Sequence, residues 1–171
     1  MRIWITSDTH FGHDKITELE HRPQDYADRI LRAVDLIPHN DVLLHLGDVS
    51  LGRDSHWQHR LMTTKSSCRK WLVLGNHDGH SFSWYMNMGW DWVGRSMTLK
   101  SFGHNILFSH EPKESLYGED DKKWLNVHGH LHSPKRVKEY AHMYTDRHIL
   151  YSCEQNNYKP VLLETLLKGV E

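Results

Sequence analysis

The sequence predicts an α/β layered fold with at least a parallel core. Two observations point there. Short apolar runs rich in Ile, Leu and Val recur along the chain, and stretches with helical spacing of apolar residues lie between the early ones. Strand, helix, strand, helix is the alternation that buries a parallel sheet under helices, and a run apolar at nearly every position suits a strand covered on both faces.

The first strand is expected at 3–6 (IWIT). Helical spacing comes next over 26–37, where Tyr26, Ile30, Ala33, Val34 and Ile37 fall on one face at steps of three and four. A second strand, 42–46 (VLLHL), precedes a helix suggested by Trp57, Leu61 and Met62. A third, 71–74 (WLVL), precedes a short helix at 82–88. Further strands are expected at 106–108 (ILF) and 125–127 (LNV), each too short for a helix; runs at 148–152 and 161–163 look similar but carry no motif. The most polar stretch, 111–123, reads as a loop, and Glu119-Asp120-Asp121-Lys122-Lys123 within it as solvated charge. No repeat, low-complexity tract or linker interrupts the chain, and 171 residues suffice for one good core, so a single domain over 1–171 is expected.

A hydrophobic fraction of 38% and a charged fraction of 25% are those of a globular protein leaning polar. The formal net charge of −1 leaves no footprint for bulk nucleic-acid or membrane binding. Cys68 and Cys153 make neither a disulfide framework nor a zinc-finger spacing, which suits a reducing cytoplasm. The apolar stretch before Asp8 is too short for a signal peptide or membrane anchor, so a cytoplasmic location and no membrane partner are expected. The 16 histidines are many for this length, and most need an ordinary explanation.

The chemistry sits at the end of each strand. The first runs into Ser7-Asp8-Thr9-His10, the second into Gly47-Asp48, and the third into Gly75-Asn76-His77-Asp78. The strand at 106–108 runs into Ser109-His110, and the next into His128-Gly129-His130-Leu131-His132. In open α/β sheets the carboxyl ends of the strands form the ligand crevice, so these scattered side chains would meet there. Asp, Asn and His without Cys make an oxygen-and-nitrogen donor set suited to Mn, Fe, Zn, Co or Ni. There are too many for one tetrahedral zinc; the set suits two metals sharing a bridging carboxylate.

The series D-x-H, G-D, G-N-H-D, S-H and G-H-x-H, in that order, resembles the calcineurin-like metallophosphoesterase superfamily from the first strand to His132. S-D-T-H-F-G-H near the start and N-Y-K-P near the end are similar to a small, compact bacterial and phage branch. The resemblance implies a four-layer αββα sandwich, two sheets between helices. It also implies two divalent ions, manganese first, with Fe, Zn, Ni, Co or Mg as alternatives. Carried over residue by residue, it assigns Asp8, His10 and His132 to one ion and Asn76, His110 and His130 to the other, with Asp48 bridging. His77 would bind no metal and would face the substrate as the catalytic residue.

Phosphate-ester hydrolysis at neutral pH lacks a strong nucleophile and builds charge in its transition state. A hydroxide shared by two ions answers the first difficulty, because metal binding lowers the pKa of water from about 15.7 towards about 7, and the charge of the ions answers the second. An imidazole, ordinarily titrating near about 6.5, suits protonation of the leaving alkoxide, which is the role expected of His77. His13 and Arg53 are weaker candidates for phosphate contact. One departure matters. Family members commonly carry G-D-x-x-D-R where this chain has Gly47-Asp48-Val49-Ser50-Leu51-Gly52-Arg53. Leu51 removes a carboxylate that would orient the His77 ring, leaving Asp78 or a backbone carbonyl to do so.

The expected activity is phosphodiester hydrolysis, on a cyclic nucleotide, a nucleotide or a nucleic-acid end, because residues 111–129 leave no room for a capping domain between His110 and His130. Two alternatives stand beside it: a phosphomonoesterase or nucleotide phosphatase, and a catalytically silent interaction module. Nucleic acid enters only as a substrate, and the oligomeric state stays open, a dimer included. Several features have ordinary explanations. His45, inside a strand, reads as a core histidine with its hydrogen bonds satisfied. Strand periodicity places His128 on the same face as His130, as a packed residue or a support for a ligand. Trp84, Tyr85, Trp90 and Trp92 read as a helix packed onto a sheet.

Overall fold

The computed structural model describes residues 1–114 and 124–168; the run Glu119-Asp120-Asp121-Lys122-Lys123 lies outside the described residues. The strands are β1 (Ile3–Thr6), β2 (Val42–His45), β3 (Arg69–Val73), β4 (Trp92–Gly94), β5 (Ser96–Ser101), β6 (His104–Ser109), β7 (Trp124–His128), β8 (His148–Leu150) and β9 (Val161–Leu162). The α-helices are α1 (Ile16–Leu19), α2 (Tyr26–Val34), α3 (Asp54–Met62), α4 (Phe82–Met88) and α5 (Leu163–Leu166). Two sheets result, in the orders β4-β3-β2-β1-β9 and β5-β6-β7-β8. Within the first, β1 to β4 are parallel and β9 is antiparallel to β1; within the second, β6, β7 and β8 are parallel and β5 is antiparallel to β6. The result is the expected α/β sandwich of two sheets flanked by helices.

Side chains alternate across a strand, and the core divides accordingly. On β2, Leu43 faces one way to meet Ile30 and Val34 of α2, Leu61 of α3 and Tyr85 of α4. Leu44 faces the other way, into a second cluster with Ile5 of β1, Val73 of β3, Ile106 and Phe108 of β6, and Leu125 and Val127 of β7. That second cluster glues sheet to sheet. Burying each such Leu, Ile or Phe contributes about 1.5–3 kcal/mol, so the β1–β3 and β6–β7 pairs are held rigidly side by side at the ends that carry the motifs.

The aromatic stretch does what the ordinary explanation requires. Tyr85 and Trp90 are buried against the helical layer, and the Trp90 indole donates to Gln58 Oε1 at 2.8 Å. Two strands, β4 and β5, are additions to the expected set. β4 is a three-residue edge strand inside the aromatic stretch. β5 reads SMTLKS, and its side chains alternate between exposed and half-buried. It is the edge of the second sheet, so it lacks the continuous apolar run that marks a strand covered on both faces.

The second sheet turns Asn126 and His128 outward, yet both are fully buried. Asn126 accepts from the Lys113 backbone N–H at 2.9 Å, and His128 Nε2 meets the Tyr144 hydroxyl at 3.0 Å. The segments flanking the sheet therefore close this face by polar contacts. No helix among the described residues is long and apolar enough to cross a membrane.

Candidate metal centre

All five motifs fold to one place. Asp8 and His10 come after β1, Asp48 after β2, Asn76 after β3, His110 after β6, and His130 and His132 after β7. The loops stay paired after the strands end: Asp8 N–H donates to Gly47 O at 3.0 Å, His10 N–H to Asp48 O at 2.9 Å, and Phe11 N–H to Val49 O at 2.9 Å. Five of these residues, Asp8, His10, Asp48, His130 and His132, have left-handed backbones, with φ between 45° and 70°. That conformation costs a non-glycine residue roughly 1–2 kcal/mol, and such strain concentrates where the surroundings hold a site in shape. Glycine is needed where these turns crowd each other. Gly47 has φ of +100°, and a Cβ there would lie 2.7 Å from His110 Nδ1. A Cβ on Gly129 would overlap Ser7 Oγ and Asp8 Oδ2.

Two sets of donor atoms emerge: Asp8, His10 and His132 in one, Asp48, His110 and His130 in the other, each with its atoms within 4.8 Å of one another. Asp48 Oδ2 stands between them, 3.5 Å from His10 Nε2 and 3.2 Å from His110 Nε2. Asn76 Oδ1 joins the second set at 2.9 Å from His110 Nε2 and 3.0 Å from His130 Nδ1. The two rings of the first set face each other, His10 Nε2 to His132 Nε2 at 3.2 Å. So many oxygen and nitrogen acceptors cannot all be satisfied by one another's few protons. The donor set fits divalent cations.

The electrostatics agree in direction. Burial pushes Asp8 up to about 6. Burial acts the same way on Asp48, but the hydrogen bond and charge of His110, with the charge of His10, hold it well below the usual carboxylate range. His110 would be driven down by burial, yet the bond to Asp48 and the charges of both carboxylates raise it to about 9.

The calcineurin-like phosphoesterase family matches residues 1–165, nearly the whole chain. The chain belongs to this family. Membership makes the protein a metal-dependent hydrolase of phosphate esters. Among similar proteins, the gene 66 protein of Mycobacterium phage L5 is 27% identical over 168 residues, 81% of each chain. The uncharacterized protein MJ1445 of Methanocaldococcus jannaschii is 26% identical over 178 residues, covering 99% of this chain and 92% of that one. Among solved structures, the protein of unknown function AQ665 from Aquifex aeolicus superposes with a TM-score of 0.73 at 24% identity, over 99% of both chains, and so shares the fold.

At the candidate metal centre, a cleft of about 160 Å³ is lined by His10, Asp48, Asn76, His77, His130 and His132, and also by Arg136, Glu139 and Tyr140. The exposed His77 ring stands at this cleft, edge-on to His10 with centroids 5.4 Å apart. Its backbone N–H donates to Asp48 Oδ1 at 2.9 Å. No hydrogen bond to its ring occurs among the described residues. Asp78 does not orient it, contrary to expectation. Both Asp78 oxygens are used by backbone N–H groups: Oδ2 accepts from Asp48 and Gly75 at 2.8 Å, and Oδ1 from Val49 at 3.1 Å. Asp78 thus clamps the two turns that carry Asp48 and Asn76.

Two weaker candidates fare differently. His13 lies beside His10, ring centroids 6.0 Å apart. Arg53 is exposed at the start of α3 and does not line the cleft, because the turn through Gly52 (φ 91°) and Arg53 (φ 52°) carries the chain away from it. His128 does not share the face of His130, as strand periodicity suggested; β7 ends at His128, and the turn through Gly129 sends His130 to the site while His128 stays under Tyr144.

Sequence reasoning missed a supporting pair. Arg22, whose side chain is fully buried, donates to Asp8 O at 2.6 Å and Thr9 O at 2.7 Å, and its Nε to Glu154 Oε1 at 2.8 Å. His132 Nδ1 meets the same carboxylate oxygen at 3.1 Å. Burial opposes the charge on Glu154, but the His132 bond and the Arg22 charge bring it down to about 2. A carboxylate on Nδ1 fixes the ring and leaves Nε2 free to face a metal. Glu154 lies just before the N-Y-K-P sequence, which pointed to this region without identifying the carboxylate.

Proposed function

We propose that the chain binds two divalent cations, one at Asp8, His10 and His132, the other at Asn76, His110 and His130, with Asp48 between them, and that it hydrolyses phosphodiesters. The observation that carries this is the position of Asp48 Oδ2, within 3.5 Å of an imidazole nitrogen from each set. When bound, such ions supply an ionised water near neutral pH and neutralise the charge on phosphate oxygens. Manganese is the first choice for a donor set of carboxylate, amide and imidazole without sulfur.

The chain's own residues do the rest. Asp8 and Asp48 bring two negative charges to the two donor sets, and Glu154 and Leu46 O hold the Nδ1 atoms of His132 and His110, so their Nε2 atoms point inward. In this reading His77, whose exposed ring lines the cleft, carries a proton to the leaving oxygen. The cleft is open, which leaves room for an ester group on both sides of the phosphate and favours a diester such as a cyclic nucleotide, nucleotide or nucleic-acid end. We read residues 1–171 as one domain acting on a small substrate, and the free, buried Cys68 and Cys153 as suited to the cytoplasm.

Metal analysis of the protein together with assays on bis(p-nitrophenyl) phosphate and p-nitrophenyl phosphate, with Mn²⁺ supplied, tests the proposal. The expected result is close to two metals per chain, faster turnover of the diester, and no turnover by Asp48→Asn. Absence of turnover with any divalent metal would favour a silent interaction module, and a faster monoester would reassign the enzyme to the phosphatases.

A further inference from the structure

The site does not stop at the metal ligands. Asn76 lines the cleft over the centre and also two further clefts. One, of about 260 Å³, is bordered by Arg95, His110, Glu111 and Lys113; the other, of about 480 Å³, by His80, Phe82 and again Arg95. A groove therefore passes the candidate metal centre and leads towards Arg95.

Arg95 is well placed to matter there. It is the single residue joining β4 to β5, where the chain crosses from one sheet to the other, so both sheets hold its backbone. Its guanidinium lies over the exposed ring of Phe82 at 6.0 Å, and it has no carboxylate partner among the described residues. Lys113 borders the same cleft. Its backbone is fixed through N–H to Asn126 Oδ1 at 2.9 Å and C=O to His148 Nε2 at 3.0 Å, and its ammonium also lacks a carboxylate partner among the described residues. Across the centre, by contrast, Arg136 is already held by Glu20 at 2.5 Å. In a chain of net charge −1, two cations without a carboxylate partner among the described residues share one groove, with Glu111 also on its border. An aromatic ring completes the wall.

We infer that Arg95 and Lys113 form a subsite for a second phosphate, the one next to the scissile phosphate in a short single-stranded nucleic acid, with Phe82 offering a face on which a base can stack. The inference rests on the phosphodiesterase reading and narrows its substrate class. Charge-assisted contacts to phosphate give affinity without sequence preference, and aromatic stacking is equally tolerant of base identity.

Two measurements test it. In the first, kcat/KM is compared for the dinucleotide TpT, with one phosphate, and the trinucleotide TpTpT, with two, in wild type, Arg95→Ala, Lys113→Ala and the double variant. The TpTpT/TpT ratio should be roughly 10 in wild type and fall towards 1 in the double variant, as expected for lost charge-assisted contacts; Arg95→Lys should retain part of it. A ratio unchanged by the substitutions overturns the subsite, as does an equal loss on both substrates, which marks a structural role. In the second, a fluorescein-labelled oligothymidylate is titrated by anisotropy into the inactive Asp48→Asn protein at several salt concentrations. Removing both cations should lower the slope of log K against log salt by about 0.7, the value for one phosphate contact on a single strand. If no variant turns over any ester, the phosphodiesterase reading fails, while the salt slope still decides whether the groove binds a phosphate chain.

Discussion

His45 links the fold to a measurable pH dependence. It is fully buried on β2, and its two ring nitrogens have opposite tasks: Nδ1 accepts from the Gly47 N–H at 3.1 Å, and Nε2 meets Thr9 Oγ1 at 3.0 Å, whose own proton goes to Val49 O at 2.7 Å. A proton added to Nδ1 would point at the Gly47 N–H. Burial, against the attraction of Asp48 and with repulsion from His110, lowers the ring to about 3 from its ordinary 6.5. The unfolded chain takes up a proton below 6.5 and the folded one does not until about 3. His45 therefore contributes its full stability above about pH 6.5 and loses it as pH falls towards about 3, at about 1.4 kcal/mol per pH unit. From about pH 7 to about pH 5 the loss is about 2 kcal/mol. His45→Asn keeps an acceptor for Gly47 and removes the titration. Urea unfolding of both proteins in EDTA, at half-unit steps over that range, gives the difference directly, because other buried histidines such as His10 and His128 cancel in the subtraction. The wild-type advantage should shrink by about 2 kcal/mol over that range. A difference flat to within about 0.5 kcal/mol would show that the ring is not held neutral, and the assigned hydrogen-bond directions would be wrong.

Other changes act on the site. His77→Ala should keep its metals by elemental analysis yet lose roughly 100-fold or more in kcat, most with poor leaving groups; a wild-type rate on an unactivated ester removes His77 from proton transfer. Glu154→Gln should weaken metal binding about 10–100-fold and destabilise the apo-protein by about 3 kcal/mol in calorimetry, since it leaves the buried Arg22 guanidinium without its counter-ion. The exposed pair Arg136–Glu20 is the control: Glu20→Gln should cost no more than about 1 kcal/mol by the same calorimetry. Gly129→Ala should cost about 1–3 kcal/mol and deplete bound metal, because Ser7 and Asp8 are fully buried and have nowhere to move. Gly79→Ala, whose Cβ would enter open space, should change neither the melting temperature nor the metal content.

The strands that position the centre were legible because they are buried on both faces. VLL and ILF need no partner to be recognised: burial from both sides favours an apolar residue at nearly every step, and the sequence records that demand locally. Edge strands carry no such mark. β5 alternates polar and apolar residues, and β4 has three residues, so neither stood out from loop and helix. The turn after β7 misled in the same way: periodicity assumes that the strand continues past His128, whereas Gly129 ends it.

The residues that meet at the centre could be read from the sequence because each sits directly after a strand, where a short polar motif has only one place to go. Their supports could not. Arg22 and Glu154 are 132 positions apart, and each alone resembles a surface charge; only the folded chain brings both against His132 and buries them. The same holds for Asp78, whose two oxygens serve backbone groups of two different turns, and for Arg95 and Lys113, which share a groove because β5 pairs with β6, Ser96 opposite Ser109. Local chemistry, written residue by residue, is what the sequence determined. Which charges are paired, buried or left open depends on contacts between distant segments, and those exist only once hydrophobic packing has joined the sheets.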